Sequence, residues 1–205
     1  MMALSETRTL LESARDIFQN VLGSAAAFRD FAGNPKGRAG STAALIQRRQ
    51  RTQAGRTAAL RILGQSTTFC RDLHPVGRLI EQACPISALI EKTAARMRTY
   101  RIERPPAEVL ELARVIEQAS STLLGTLDPV EQNDADGMAR SAAALRAAVE
   151  EADAIGSRGL AALFENSGDP LEILKSKDLY HLLGEILRRF QGAARRIESM
   201  AQGAE

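Results

Sequence analysis

The sequence is poor in the residues that build sheets, disulfide frameworks and membrane spans. Aromatic residues make up 4% of its 205 residues and tryptophan is absent, whereas alanine, the strongest helix former, is abundant. Two cysteines are too few for a disulfide framework and fit a reducing compartment. No apolar run reaches the roughly 18 residues that a membrane span requires, and the start of the chain lacks a signal peptide's apolar stretch. These absences disfavour an all-β fold and an integral membrane protein, and we expect a cytoplasmic location.

Acidic residues are missing from one long segment. Between Phe31 and Arg71 there are eight basic residues and no aspartate or glutamate, while the net charge of the whole chain is only +2. A nearly balanced total does not indicate nucleic-acid binding, and we expect no nucleic-acid partner. The uneven distribution instead indicates either an anionic partner or pairing with the acidic remainder of the chain.

Apolar residues recur at alternating steps of three and four, which is typical of packed helices. The pattern predicts six long helices, three on each side of the stiff segment Glu103–Pro106. Short loops make consecutive helices antiparallel neighbours. We therefore predict an all-α fold in which six long antiparallel helices form two three-helix bundles side by side. Residues 1–102 would form the first bundle and residues 103–205 the second, together one compact domain.

Residues that cap helices and residues that interrupt them predict where the helices begin and end. Ser41 or Thr42 is expected to start the second helix and Asp72 the third. Gly55 lies mid-helix, where packing must hold it, and Pro85 is expected to kink the third helix. The fourth helix is expected to end before Asp128-Pro129. In the last helix, Asp169 is expected to be the cap with Pro170 at the first helical position, and Leu171 and Leu174 begin the core-facing stripe.

Residues that could support catalysis or zinc binding are few. His181 lies beside the apolar stripe of the last helix, where we expect it to be partly buried with Asp178 as an acidic partner, and His74 is expected at the surface. A zinc site combining the histidines with Cys70 and Cys84 is a weak alternative, because the paired spacings of structural zinc motifs are missing. We predict no catalytic residue.

Arginines interrupt the core-facing stripe of the second helix. Arg49 and Arg56 fall on that stripe, and Arg48 and Arg51 lie beside them. Because an unpaired buried guanidinium is costly, these arginines should pair with acidic residues, bind an anion or face a partner. Alternatively, the helix is rotated and they are solvated. Together with Arg188 of the last helix, they are the candidate anion or partner face.

Two segments resemble a known family. Tyr100–Pro106 resembles the junction between the halves of PhoU-like phosphate-transport regulators, in particular the short accessory proteins of Pit-type phosphate transporters. The second match joins Leu163–Glu165 to Asp169–Tyr180: an aromatic helix end, an Asp-Pro cap and a Lys-x-Lys-acid-apolar-Tyr opening. The similarity is best from about Asp72 onward. It implies two three-helix bundles and a cytosolic, non-catalytic regulator that contacts a membrane phosphate transporter or its signalling partner.

The resemblance also implies metal sites from which this sequence departs. Many members hold iron or zinc clusters through Glu-x-x-x-Asp signatures on their inner helices. The corresponding stretches 46–53 and 84–88 contain no carboxylate here, and 184–188 pairs one glutamate with an arginine. Arginines repel divalent cations, so we predict that this chain has lost the clusters and binds no metal or other cofactor.

In the fifth helix two acidic residues of that signature remain. Arginines at former ligand positions, among them Arg188, are expected to neutralise Glu151 and Asp153. If Arg188 faces inward, Arg188→Ala should destabilise the protein more than Arg195→Ala does.

These observations lead to one functional prediction and one alternative. The prediction is a non-enzymatic cytoplasmic adaptor that regulates inorganic phosphate uptake by contacting a Pit-type transporter or its signalling partner. The alternative is a helical bundle that binds or senses a small anion such as phosphate through the arginine-rich face of the second helix. Alanine-rich helix faces also make a homodimer plausible.

Overall fold

Helices account for nearly all of the chain that the structure describes. The structure is a computed structural model that describes residues 2–65, 75–166 and 169–203, and these ranges contain no strand. Their elements are α1 (Met2–Gly33), a single 3₁₀ turn (Pro35–Gly37), α2 (Arg38–Gln65), α3 (Pro75–Thr99), α4 (Ala107–Gly125), α5 (Leu127–Gln132), α6 (Ala135–Asn166) and α7 (Pro170–Ala201). The predicted all-α fold with six long helices is confirmed.

The long helices pack as two groups of three. Helices α1, α2 and α3 contact one another, as do α4, α6 and α7. The groups meet where α1 packs against α4 and α3 packs against α7, and one apolar cluster runs through both. The predicted pair of three-helix bundles is therefore confirmed, whereas the division at residue 102 stays a prediction.

Helix α2 begins earlier than predicted. One residue after α1, a 3₁₀ turn begins at Pro35 and passes into α2 at Arg38, so Ser41 and Thr42 lie inside the helix rather than at its cap. The Ser41 hydroxyl donates a hydrogen bond back to the Gly37 carbonyl at 3.4 Å. The expected cap at Asp72 lies outside the described residues.

Two proline-containing segments behave differently from each other. Helix α3 continues through Pro85. Helix α4 ends at Gly125, before Asp128-Pro129 as predicted, but the chain then forms the short helix α5, which was not predicted. Pro129 lies in the first turn of α5, where a missing N–H is harmless. Asn133, with a φ of 53°, ends α5 in the left-handed conformation that asparagine tolerates.

The predicted cap of α7 is confirmed. The Asp169 carboxylate accepts a hydrogen bond from the Leu171 amide at 2.8 Å, and Pro170 occupies the first helical position. The packing expected around Gly55 is also present. A Cβ there would lie 2.9 Å from a side-chain carbon of Ile17, so the glycine permits a close approach of α2 to α1.

Three hydroxyl groups meet in the interior of the first bundle. The buried Ser87 of α3 lies 3.2 Å from the hydroxyl of Ser24 on α1 and 3.2 Å from that of Thr52 on α2. Ser24 also donates to the Asn20 carbonyl at 2.8 Å. These groups satisfy one another in a buried site, so Ser87 ties α3 to both α1 and α2.

Charged side chains connect the two bundles. Arg15 of α1 contacts Asp128 of α5 at 2.8 Å, and Arg29 of α1 contacts Glu117 of α4 at 2.6 Å. Exposed pairs of this kind contribute about 0–1 kcal/mol each, so they orient an interface that is stabilised mainly by apolar burial.

Arg38 ties the start of α2 to the junction between the bundles. Its guanidinium donates to the Ile102 carbonyl at 2.7 Å, the Glu103 carbonyl at 2.8 Å and the Phe31 carbonyl at 3.2 Å. It also lies over the Phe31 ring, 5.0 Å from the centroid. A single side chain thus links the end of α1 to the segment between α3 and α4.

Candidate functional site

The arginines of α2 do not form one face. The buried seam of α2 consists of Leu45, Thr52, Ala59 and Leu63. By helical spacing, Arg49 and Arg56 lie on the flank towards α3, while Arg48 and Arg51 lie on the flank towards α1. The core-facing interpretation of Arg49 is wrong because the small polar Thr52 occupies the centre of the seam.

Each of these arginines has its own surroundings. Arg49, 57% exposed, lies 3.3 Å from Glu91 of α3. Arg48 is half-buried, with its guanidinium over Gly23 of α1, where a Cβ would collide with it. Arg51 is exposed and Arg56 is half-buried. The α2 arginines of the predicted anion or partner face thus lie on two flanks of the helix, and their role as that face stays a prediction.

Arg188 does not face inward. Its side chain is 61% exposed and lies 3.4 Å from Glu185, one turn earlier on α7. Glu151 and Asp153, which it was expected to neutralise, are exposed on α6. The condition for Arg188→Ala to destabilise more than Arg195→Ala is therefore not met, because position 188 falls on the solvent side of α7 between the buried Leu187 and Phe190.

The residues at the expected metal positions do not fit a metal cluster. In the first bundle, stretches 46–53 and 84–88 contribute the neutral hydroxyls of Thr52 and Ser87, which hydrogen-bond to each other. Within the described ranges, no three histidine, cysteine, aspartate or glutamate side chains come together in an arrangement that could hold an ion. Divalent cations require several converging anionic oxygens, which this arrangement does not supply.

Cys84 is a buried thiol rather than a reactive one. It is 8% exposed on α3, and burial raises its pKa to about 12, only partly offset by the positive charge of Arg56. A thiol with this pKa is almost entirely protonated near neutral pH and is a poor nucleophile and metal ligand. Its suggested zinc partners Cys70 and His74 lie outside the described residues.

The raised pKa of Cys84 predicts a loss of stability in alkaline solution. The thiol of the unfolded chain ionises near pH 8.5–9, at lower pH than that of the folded chain. The contribution of Cys84 to the free energy of unfolding is therefore complete below about pH 9 and is lost between about pH 9 and 12. We expect Cys84→Ala to make this decline shallower by up to about 1.4 kcal/mol per pH unit. Urea unfolding of both proteins from pH 8 to 11 measures the difference, and parallel declines would contradict it.

His181 and Asp178 do not form the expected pair. His181 is 64% exposed and its Nε2 lies 3.9 Å from Glu185, so the expected partial burial is wrong. Asp178 instead accepts a hydrogen bond from the Tyr100 hydroxyl at 2.6 Å and lies 3.6 Å from Arg96. The hydrogen bond to Asp178 raises the pKa of Tyr100. These contacts link the end of α3 to the start of α7.

The hairpin of α6 and α7 extends beyond its neighbours at one end. Asp178 lies opposite the last residues of α3, and Arg158 of α6 contacts Glu111 near the start of α4 at 2.8 Å. The described residues of the hairpin beyond these two contacts, 159–166 and 169–177, are called the hairpin tip. Its exposed apolar side chains are Phe164 (67%), Leu171 (56%) and Leu174 (64%). The core assignment of Leu171 and Leu174 is wrong because α3 ends before it reaches them.

A cleft of about 330 Å³ lies between α4, α6 and α7. Leu112, Leu160 and Leu187 contribute to its lining, with Lys177 and His181 among its polar residues. The ring of Tyr180 also lines it, but the Tyr180 hydroxyl lies over Gly159, is covered, and has no hydrogen-bond partner among the described residues. Burial raises the pKa of Tyr180 to about 12. A ligand in the cleft would not reach this hydroxyl without movement of the ring.

Arg188, a member of the predicted anion or partner face, lies between α3 and α7 together with Arg195 and with Arg189, which the sequence analysis did not single out. A cleft of about 350 Å³ is lined by Gln82, Leu89, Glu185, Arg188, Arg189 and Arg195, and we call it the α3–α7 arginine cleft. The signal in the sequence is the spacing of these arginines, since positions 185, 188, 189, 192 and 195 share one face of a helix. Only the packing of α3 beside that face makes it concave.

The described helices include none that is long and apolar enough to cross a bilayer. No model of a known protein family matches the sequence, and no curated protein is detectably similar to it. Solved structures do match the fold.

Two of these structures are of proteins from Shewanella oneidensis MR-1. One, described as a PhoU-like phosphate regulatory protein, superposes with a TM-score of 0.68 at 15% identity, covering 95% of this chain and 99% of that one. The other, described as a PhoU-like protein, gives a TM-score of 0.68 at 14% identity, covering 94% and 96%. The order and packing of the helices therefore show that this chain has the PhoU-like fold.

Proposed function

We propose that this protein is a non-enzymatic regulator of inorganic phosphate uptake that acts by contacting a Pit-type transporter or its signalling partner. The observation that carries the proposal is the PhoU-like fold over 95% of the chain, since one matching structure is described as a phosphate regulatory protein. Fold alone does not determine function, so the argument also depends on what the surface offers.

The described side chains favour binding over catalysis. Cys84 is buried and protonated, and His181 is solvated beside Glu185 rather than oriented by a buried carboxylate. Nucleophilic catalysis requires a nucleophile and a base in contact, which neither residue provides. Both observations support a protein that acts through contacts.

The hairpin tip is the surface that best fits a protein partner. Phe164, Leu171 and Leu174 are each more than half exposed at one end of the bundle. Among the described residues, the remaining exposed large apolar side chain is Ile46 of α2, at 41%. Grouped apolar residues beside charged ones are typical of contact surfaces. We propose that the transporter or its signalling partner docks here, in the cytoplasm, and that nucleic acid is not involved. A homodimer stays a separate prediction, which analytical ultracentrifugation tests.

Phosphate uptake by cells tests the proposed function. Deletion of the gene in its native host should change the rate of labelled phosphate uptake at least twofold, and the wild-type chain should restore the rate. The double variant Phe164→Ser/Leu174→Ser should fail to restore it although it folds, because it removes apolar contact area only from the hairpin tip.

The matched control is Ile46→Ser, which removes an exposed apolar side chain from α2 and should restore uptake fully. Uptake that is unchanged by the deletion would refute the proposed function. Restoration by the double variant would refute only the docking surface.

A further inference from the structure

The α3–α7 arginine cleft carries more positive charge than its surroundings neutralise. Arg189 and Arg195 have no ion-pair partner among the residues that the structure describes, and Arg188 has only the 3.4 Å contact with Glu185. Three guanidinium groups thus share one lining carboxylate. The cleft therefore has an uncompensated positive charge, which attracts anions.

The arginines of the cleft lie close together on one face of α7. Residues 188 and 195 lie two turns apart on one face of α7, about 10 Å along the axis. Between them lies Gly192, against which the side-chain amide of Gln82 packs from α3. Because residue 192 has no side chain, the Gln82 amide fits between the arginines, where it can add a hydrogen-bond donor to the cleft.

The chemistry of these groups selects the ligand class. Guanidinium presents several N–H donors in a planar fork that matches the oxygens of phosphate, and such charge-assisted hydrogen bonds are stronger than neutral ones. The volume of about 350 Å³ lies in the range of small-molecule pockets, and the two-turn separation of the arginines suits linked phosphate groups better than one.

We propose that the α3–α7 arginine cleft binds a phosphate-bearing anion, with a preference for two or more linked phosphate groups. The inference stands on the arginines of α7 and does not require the proposed role in phosphate uptake. It also differs from the anion site expected on α2, because the α2 arginines lie on two flanks, whereas those of α7 line one cleft.

Thermal unfolding with inorganic phosphate and with diphosphate, at constant ionic strength, tests the proposal. The melting temperature should rise by about 5–10 °C when the anion is present at 100 times its dissociation constant. Diphosphate should act at lower concentration than phosphate. Arg189→Ala/Arg195→Ala should weaken binding about tenfold or more, since two charged donors are lost.

Two further variants make the test specific. Arg51→Ala/Arg61→Ala removes the same charge from exposed positions on α2 and should leave the dissociation constant unchanged. Glu185→Gln removes the carboxylate from the cleft and should tighten binding several-fold, an effect of opposite sign that loss of folding does not imitate.

Phosphate groups occur both on soluble anions and on lipid headgroups, and binding to vesicles that contain phosphatidic acid distinguishes these two kinds of ligand. Co-sedimentation that Arg189→Ala/Arg195→Ala abolishes, without a response to free anions, would assign the cleft to a lipid headgroup. A response to free diphosphate without vesicle binding would assign it to a soluble ligand. No response to any of the three probes, or equal losses in the α7 and α2 double variants, would overturn the proposal.

Discussion

Replacement of Phe31 by alanine is expected to lower the free energy of unfolding by about 3–5 kcal/mol. The Phe31 ring is fully buried near the end of α1, so its removal leaves a cavity that the rigid helices around it fill only in part. The ring also supports the guanidinium of Arg38 at 5.0 Å, and that contact is lost as well. Urea unfolding followed by circular dichroism measures the change, with an unchanged m-value.

Phe164→Ala is the matched control. It deletes the same atoms from a side chain that is 67% exposed, so the free energy of unfolding should change by less than about 0.5 kcal/mol. Similar losses in the two variants would contradict the assignment of Phe31 to the core and Phe164 to the surface. The control also shows that a hairpin-tip variant folds before its effect on uptake is interpreted.

Arg38→Ala is expected to lower the free energy of unfolding by about 2–4 kcal/mol, more than an ordinary surface substitution. In this variant the carbonyls of Phe31, Ile102 and Glu103 lose a charged donor, and hydrogen bonds to charged groups make a net contribution of about 1.5–3 kcal/mol each. The expected loss is smaller than their sum because the site is only half-buried and water reaches the freed carbonyls. Chemical denaturation measures the loss.

Two controls separate charge from geometry. Arg38→Lys keeps the charge but not the planar fork, so it should recover less than half of the lost stability. Arg51→Ala removes a charge from an exposed position of the same helix and should have almost no effect. If Arg38→Ala lowered the free energy of unfolding no more than Arg51→Ala does, the contacts between Arg38 and the inter-bundle junction would not contribute to stability.

The sequence predicts the helices well because their determinants are local. The steps of three and four between apolar residues depend only on helical geometry, and the cap at Asp169 and the proline after it act within one turn. The predicted start of α2 is wrong because more than one local signal is present at that point of the chain. Two plausible hydroxyl caps follow a proline-containing turn, and the turn itself passes into the helix at Arg38 without using either.

The candidate surfaces were less accessible from the sequence. Leu171 and Leu174 continue the apolar stripe of α7, yet they are exposed because α3 ends opposite Asp178. Arg188 falls at a position where the metal-binding resemblance places an inward ligand, yet it faces solvent beside Glu185. Periodicity shows which face of a helix is apolar but not how far its neighbours extend.

Local sequence specifies the all-α class and the chain reversal at Glu103–Pro106, because each depends on residue types within a few turns. Tertiary packing alone decided that the α2 arginines separate onto two flanks, that the α7 arginines line a cleft, and that the hairpin tip remains uncovered. These features depend on the relative lengths and rotations of helices distant in sequence, which local patterns do not encode.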